Sequence, residues 1–221
     1  VFAESRGMME VDCRRATAAG MRSRPLAETI EATAAWLAQR DNALVEYRVR
    51  PAKVMTEISF QGAPDIRIVM LHGYPVMAML RAATRESDGR ANLHQGALGI
   101  GIDIASGVTV RAVHYGKPVT VHPDLGIDLI GIRMPGWDRI LDIAVTCQEM
   151  TGLGYLGVDR MIDETRGPLM SEVNARPGLA IQMANGVGLL RRLVPAAEQH
   201  KLHPGAGHFE KIEFSRKHFG A

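Results

Sequence analysis

Two strand-like runs on either side of a short turn constrain the fold most. Residues 65–71 and 75–81 are rich in apolar and β-branched side chains, and His72, Gly73 and Tyr74 separate them. Such runs around a glycine-bearing turn are typical of a β-hairpin. We therefore predict an antiparallel hairpin over residues 65–81.

The remaining elements indicate a mixture of hairpins and separate helices. A second hairpin is predicted from residues 155–162 and 168–174, and residues 84–99 read as an ordered loop. The other predicted elements are a helix at 26–40, a strand at 42–49, a helix at 137–150 and short helices at 179–185 and 187–197. Residues after about 199 are polar and are expected to form a weakly packed tail. This arrangement favours the α+β class over a doubly wound sheet.

Composition excludes several functional classes. The 221 residues are 46% hydrophobic, enough for a packed core, and the net charge of +2 is too balanced for a chain that coats nucleic acid. Aromatic residues make up only 5%, which is few for a stacking platform. No apolar run is long enough for a membrane span. With two distant cysteines and no signal peptide, we expect a cytoplasmic protein with no membrane or nucleic-acid partner.

The second predicted hairpin brings acidic and amide side chains together. Glu172 and Asn174 are two residues apart on a strand and so leave the same face. If Ile162 pairs with Leu169, Asp159 lies opposite Glu172 on that face. Two carboxylates and an amide oxygen suit magnesium, which leaves coordination positions for substrate phosphates. The alternative is a solvated sheet face whose acids pair with nearby arginines.

The first predicted hairpin adds positive charge. Asp65 and Arg67 share a strand face, and Arg81 lies on the partner strand. Hydrogen-bond donors also gather in the loop that follows: Arg85, Arg90, Asn92, His94 and Gln95. Cations beside a magnesium-type site point to phosphoryl chemistry, which requires charge neutralisation. Taken singly, each arginine is more often a solvated surface residue than a ligand contact.

These residues carry a resemblance that extends from about residue 42 to 190. The chain resembles the ATP-grasp superfamily, and in particular the alpha-L-glutamate ligase-like proteins, relatives of the ribosomal-protein glutamate ligase. The motifs that carry it, in order, are Asp65-Ile66-Arg67, Asp88-Gly89-Arg90-Ala91-Asn92-Leu93-His94-Gln95-Gly96, Gly157-Val158-Asp159 and Glu172-Val173-Asn174-Ala175-Arg176-Pro177-Gly178.

The resemblance implies a metal site on the second hairpin. By position, Asp159, Glu172 and Asn174 look like the ligands of two Mg²⁺ ions, for which Mn²⁺ can substitute. These ions would accompany ATP as the cofactors.

It also implies a set of nucleotide contacts. Arg90 and Asn92 look like contacts to the nucleotide or to an acyl phosphate, and Asp65 with Arg67 like a phosphate-side pair. Arg67 and Arg90 are the expected catalytic cations. Glu46 and Tyr47 resemble the hinge strand that meets the adenine edge. The ATP contacts that the resemblance implies are therefore Glu46, Tyr47, Asp65, Arg90 and Asn92.

The implied reaction is ATP-dependent ligation of a carboxylate and an amine, the amine being an amino acid or a peptide. ATP converts the carboxylate to an acyl phosphate, which the amine attacks to give an amide. The alternative is a nucleotide-binding or scaffold protein that keeps the fold without ligation.

The resemblance also implies the domain organisation of a C-terminal ATP-grasp portion. Residues 1–48 are expected to be the remainder of the small lid domain with the hinge strand, 49–198 the core domain, and 199–221 a polar tail. No lysine precedes Glu46, whereas such proteins hold the nucleotide phosphates with lysines upstream of the hinge. We therefore expect an N-terminally truncated chain that is inactive in isolation.

Overall fold

The computed structural model describes residues 10–11, 43–44 and 47–220, and the chain divides into two compact units, Val1–Arg48 and Val49–Ala221. In the first unit, β1 (Glu10–Val11) pairs antiparallel with β2 (Ala43–Leu44). The predicted helix at 26–40 and most of the predicted lid domain lie outside the described residues. Of the strand predicted at 42–49, the structure describes strand geometry at Ala43–Leu44, and residues 47–49 are irregular.

The second unit is built on an antiparallel sheet with the strand order β7-β6-β5-β4-β3-β8-β9. Its strands are β3 (Asp65–Leu71), β4 (Tyr74–Ala82), β5 (Leu98–Ile102), β6 (Thr109–His114), β7 (Lys117–Val119), β8 (Tyr155–Asp163) and β9 (Gly167–Asn174). Both predicted hairpins are present, as β3–β4 and β8–β9. An antiparallel sheet with helices on its faces confirms the α+β class.

The register of the β8–β9 hairpin differs from the prediction at its turn. Ile162 pairs with Pro168 rather than with Leu169, so the predicted pairing is wrong by one residue there. A register shift next to Asp159 adds one residue to β9. Beyond this bulge Asp159 lies opposite Glu172, as predicted.

Helices cover both faces of the sheet. One face packs against α1 (Lys53–Glu57) and α2 (Trp137–Thr151), and the core between them is formed by apolar side chains such as Ile66, Ile68 and Leu141. Helix α2 matches the helix predicted at 137–150. The other face packs against α3 (Ile181–Asn185), α4 (Leu190–Leu202) and α5 (His208–Phe219).

The C-terminal segment is not the weakly packed tail that its polar sequence predicts. Helix α4 runs to Leu202, and α5 places Ile212, Ser215 and Phe219 on one buried face, against β4 and α2. The expectation of a loose tail is wrong because a few side chains at helical spacing are enough to fix a helix to a sheet.

Helix α5 begins with an ion-pair contact to α2. His208 Nε2 lies 2.7 Å from Glu149 Oε2, and His208 Nδ1 lies 3.2 Å from Asp142 Oδ1. The hydrogen bonds to Glu149 and Asp142 raise the pKa of the imidazole above its ordinary value of 6.5. The protonated histidine therefore contributes to holding α5 on α2.

The contribution of His208 to stability is expected to depend on pH. Because its folded pKa is raised, the stabilisation is fully present below the unfolded pKa of about 6.5 and is lost as pH rises through the higher folded value. Urea unfolding between pH 6 and 9 should show this decline, and the decline should be smaller in His208→Gln. The exposed His203, at the end of α4, provides the control variant His203→Gln. Identical pH profiles for His208→Gln and the unaltered protein would contradict the prediction.

Within the described part of the chain, no helix has the length and hydropathy that a membrane-spanning helix requires.

Candidate functional site

Charged side chains from four neighbouring strands share one face of the sheet. Asp65 on β3 lies opposite Arg81 on β4, and Arg67 lies opposite Asp159 on β8. Asp159 in turn lies opposite Glu172 on β9. Directly opposed residues in antiparallel strands project to the same side, so these residues form one group.

Asp65, Arg67, Arg81 and Asp159 form a continuous ion-pair network. Arg67 donates from Nε to Asp159 Oδ1 at 2.7 Å and from Nη2 to Asp159 Oδ2 at 2.5 Å. Arg81 donates from Nε to Asp65 Oδ1 at 2.5 Å, and its Nη2 contacts both Asp65 Oδ2 and, at 2.8 Å, Asp159 Oδ2. Two arginines thus neutralise two aspartates.

The network is largely withdrawn from solvent. Only 2% of the Asp159 side chain is exposed, compared with 12% for Arg67 and 15% for Arg81. Burial raises the pKa of Asp65, and the hydrogen bonds and charge of Arg81 oppose this. Burial by itself would lower the pKa of Arg81, but its hydrogen bonds and charge interactions with Asp65 and Asp159 raise it overall. The ionised forms of Asp65 and Arg81 are therefore stabilised by their ion-pair partners against the effect of burial.

Part of the alternative that the sequence left open is observed, because Asp65 and Asp159 pair with arginines, but the pairs are buried rather than solvated. Glu172 is different because its side chain is exposed beside the network, and Asn174 is partly buried two residues further along β9. The face therefore carries a neutralised buried part and an accessible acidic part.

A glycine explains how β9 and the chain after it reach this position. Gly157 lies opposite Asn174, and a Cβ at Gly157 would lie 2.6 Å from Cβ of Pro177. Pro177 therefore packs directly on the backbone of β8, in space that any other side chain would occupy. Gly157 of the Gly157-Val158-Asp159 motif and Pro177, three residues after Asn174, therefore contact each other.

The donor chemistry of Asp159, Glu172 and Asn174 fits a hard divalent cation. Carboxylate and amide oxygens are ligands of Mg²⁺, which commonly keeps several waters or phosphate oxygens. Among the described residues, no group of three or more His, Cys, Asp or Glu side chains is arranged to hold a metal ion. A metal site here would therefore need the amide of Asn174 beside the two carboxylates, and this ligand set stays a prediction.

The loop that carries Arg90 and Asn92 begins and ends beside the network. It leaves β4 just after Arg81 and enters β5 at Leu98, and Arg81 pairs with Gly99. The topology thus places the loop at the Arg81 end of the charged face. Arg90 is exposed, as a residue that meets a ligand should be.

Backbone packing and capping hold this loop in shape. A Cβ at Gly62 would lie 2.0 Å from the carbonyl oxygen of Gly89, so the two segments touch through their backbones. Asn92 Oδ1 accepts a hydrogen bond from the backbone N–H of His94 at 3.1 Å and caps the short 3₁₀ helix Leu93–Gln95. Asn92 therefore has a structural role that the sequence did not indicate. The ligand contacts of Arg90 and Asn92 stay predictions.

The predicted hinge contacts fall at the edge of the described chain. Glu46 lies outside the described residues. Tyr47 is exposed and belongs to the first unit. Their contact with adenine stays a prediction.

Arg81 was not among the predicted site residues, although it contacts both aspartates. The available signal was the predicted hairpin, whose three-residue turn already places Arg81 opposite Asp65. In the structure Tyr74 belongs to β4, and a register shift between Val69 and Met70 produces the same pairing. The cross-strand pairing of opposite charges could therefore have identified it.

Comparison with known proteins adds a family to this geometry. Residues 20–198 match the model of a protein family described as sugar-transfer associated ATP-grasp. A protein named probable alpha-L-glutamate ligase, from Thioalkalivibrio sulfidiphilus, is 31% identical over 180 residues, which cover 79% of this chain and 46% of that protein. A ribosomal protein bS6–L-glutamate ligase from Salmonella paratyphi B is 30% identical over 137 residues, which cover 62% and 34%. The chain thus spans less than half the length of these relatives.

Proposed function

We propose that this chain, which belongs to the sugar-transfer associated ATP-grasp family, is the metal- and phosphate-binding part of an ATP-dependent carboxylate–amine ligase. The observation that carries the proposal is the buried Asp65–Arg67–Arg81–Asp159 network with Glu172 exposed beside it. The four-residue network is neutral, and Glu172 adds a carboxylate beside it. Together they offer oxygen ligands for a cation and guanidinium donors for phosphate. Two relatives are named as glutamate ligases, which supports an amino acid or peptide as the amine.

The proposed reaction has two steps. A substrate carboxylate oxygen attacks the γ-phosphorus of ATP, the bond to the β,γ-bridging oxygen breaks, and ADP leaves behind an acyl phosphate. The amine then attacks the acyl carbon, inorganic phosphate leaves, and the nitrogen loses a proton to give the amide. In the first step negative charge accumulates on the leaving ADP, and in the second it accumulates on the acyl oxygen and the leaving phosphate, so both steps need fixed cations nearby.

The residues divide this work by position. Asp159, Glu172 and Asn174 would hold two Mg²⁺ ions, which when bound supply positive charge to the nucleotide phosphates. Arg67 and Arg90 would neutralise the negative charge of the γ-phosphoryl group during its transfer. Glu46 and Tyr47 would contact the adenine. In this assignment residues 49–220 form the core domain, α5 included, and residues 1–48 belong to the lid.

The test is ADP release by the complete protein with Mg²⁺, ATP and a panel of amino acids and peptides. Ligation predicts ADP formation that needs both a carboxylate and an amine, and hydroxylamine should trap the acyl phosphate as a hydroxamate. Tight Mg-ATP binding without ADP release or hydroxamate would favour the non-catalytic scaffold instead.

Arg90→Ala should lower turnover of the complete protein by about 10²–10⁴-fold, the usual range for an electrostatic donor to a transition state. Its fold should survive because the side chain is exposed. The control is Arg85→Ala in the same loop, whose guanidinium lies near Asp124 and over the ring of Phe60. Near-normal turnover of a folded Arg90→Ala protein would remove Arg90 from the site.

A further inference from the structure

We propose that Arg67 exchanges partners when the site is filled. In this structure its guanidinium donates to both oxygens of Asp159. On binding of metal and nucleotide it releases that carboxylate and turns to a phosphate, while Asp65 holds Arg81 in place. This inference rests on the proposed function, because it assumes that Asp159 is a metal ligand.

Three of the acceptor positions of Asp159 are already occupied by guanidinium donors. Its Oδ1 accepts from Arg67 Nε, and its Oδ2 accepts from Nη2 of both Arg67 and Arg81. A carboxylate has about four acceptor positions, and three are used. With 2% of the side chain exposed, a cation has no open approach to Asp159 unless a guanidinium moves.

The partners of the two arginines identify which one moves. Arg81 is bound to both oxygens of Asp65 in addition to Asp159, so it keeps a bidentate partner if it loses Asp159. The Arg67 guanidinium, by contrast, donates to the two oxygens of Asp159 itself. A divalent cation on Asp159 would therefore take both acceptors from Arg67 and would repel it as a like charge. Arg67 is the residue that leaves.

Departure of Arg67 creates a phosphate donor. A guanidinium presents a planar fork that binds two oxygens of a phosphate as it binds those of a carboxylate. Metal arriving alone must displace Arg67 without giving it a new acceptor, whereas metal with nucleotide supplies one. The exchange thus couples metal binding to nucleotide binding, and Arg67 acts as the counter-ion that keeps Asp159 neutral until both are present.

The test uses Mn²⁺ alone as the probe, with binding followed by electron paramagnetic resonance in the complete protein. Arg67→Met removes the competing charge but keeps an unbranched apolar chain, so it should bind Mn²⁺ about tenfold more tightly than the unaltered protein, equivalent to about 1.4 kcal/mol. A non-hydrolysable ATP analogue should tighten Mn²⁺ binding in the unaltered protein and much less in Arg67→Met. The matched control is Arg139→Met, an exposed position on α2, which loses the same charge and should change nothing.

Two further variants separate failure of the exchange from failure of the metal site. If Asp159→Asn abolishes Mn²⁺ binding but Arg67→Met binds Mn²⁺ alone no more tightly than the unaltered protein, the exchange is wrong and the metal site stands. If neither Asp159→Asn nor Glu172→Gln changes Mn²⁺ binding, the metal site is wrong and the exchange falls with it. Should circular dichroism show that Arg67→Met does not fold, Arg67→Lys takes its place. Lysine lacks the fork, so a smaller gain in Mn²⁺ affinity is expected, and no gain would overturn the exchange.

Discussion

Glu172→Gln is expected to abolish ligation by the complete protein while leaving its fold intact. The substitution keeps the size of the side chain and removes one negative charge from the proposed metal ligands. Loss of several kcal/mol of charge stabilisation corresponds to a fall in turnover of about 10³-fold or more, at about 1.36 kcal/mol per factor of ten. ADP release in the presence of both substrates measures it.

The stability of this variant follows from the exposure of Glu172. Because Asp159 is already neutralised by Arg67 and Arg81, Glu172 does not face an uncompensated buried charge. An exposed substitution usually changes the free energy of unfolding by no more than about 0.5 kcal/mol. Urea unfolding should therefore superimpose on that of the unaltered protein.

The matched control for Glu172→Gln is Glu164→Gln. Glu164 is also an exposed glutamate of the β8–β9 hairpin, in its turn, and pairs only at the surface with Arg50. It should keep near-normal turnover. Full turnover in Glu172→Gln would remove Glu172 from the metal site, and an unfolded variant would show that its role is structural.

The sequence was informative where local pattern decides the structure. The apolar runs of residues 65–81 predicted the β3–β4 hairpin, and the helical spacing around Leu141 predicted α2. The facing of Asp159 and Glu172 was also predicted, although the assumed pairing at the turn was wrong and a bulge restored the register. Bulges are set by the sheet as a whole, so a pattern of alternation alone does not locate them.

Tertiary packing decided what the sequence did not show. Residues 84–99 were expected to be loop, yet β5 begins at Leu98, and its glycines give it little intrinsic strand preference. The role of Gly101 is seen only in the folded protein, where α3 packs closely on β5. A Cβ at Gly101 would lie 2.5 Å from the carbonyl oxygen of Ala184 in α3. Likewise, buried contacts of Phe219 and Ile212 hold α5 in place, and the polar sequence of this segment does not predict them.

In the charged network, too, local pattern predicted some features and tertiary packing decided others. Strand periodicity placed Asp65 with Arg67 on one hairpin and Asp159 on another, but the pairing of β3 with β8 that brings them together could not be predicted from it. Arg81 joins Asp65 to Asp159, and this bridge is a property of the assembled sheet. Its energetic importance can be measured directly.

Arg81→Met is expected to lower the free energy of unfolding by about 3–5 kcal/mol, the usual cost of removing one partner from a buried ion pair. The substitution keeps most of the aliphatic volume, so the loss comes from Asp65, which would be left with burial and without its bidentate partner, and from the weakened neutralisation of Asp159. Urea unfolding at pH 7 measures it, with Arg139→Met as the control for loss of an exposed charge.

The double variant Asp65→Leu with Arg81→Met shows where the energy resides. Replacing both members of a buried pair by apolar residues is often close to neutral, so the double variant should be more stable than Arg81→Met alone. Recovery should stop short of the unaltered protein, because Asp159 still lacks the hydrogen bond from Arg81. A loss below about 1 kcal/mol in Arg81→Met, the value of an exposed ion pair, would mean that solvent screens the network. Arg81 would then be only a weakly bound surface partner of Asp65. The structure would no longer explain why Arg67 should leave Asp159 while Arg81 stays in place.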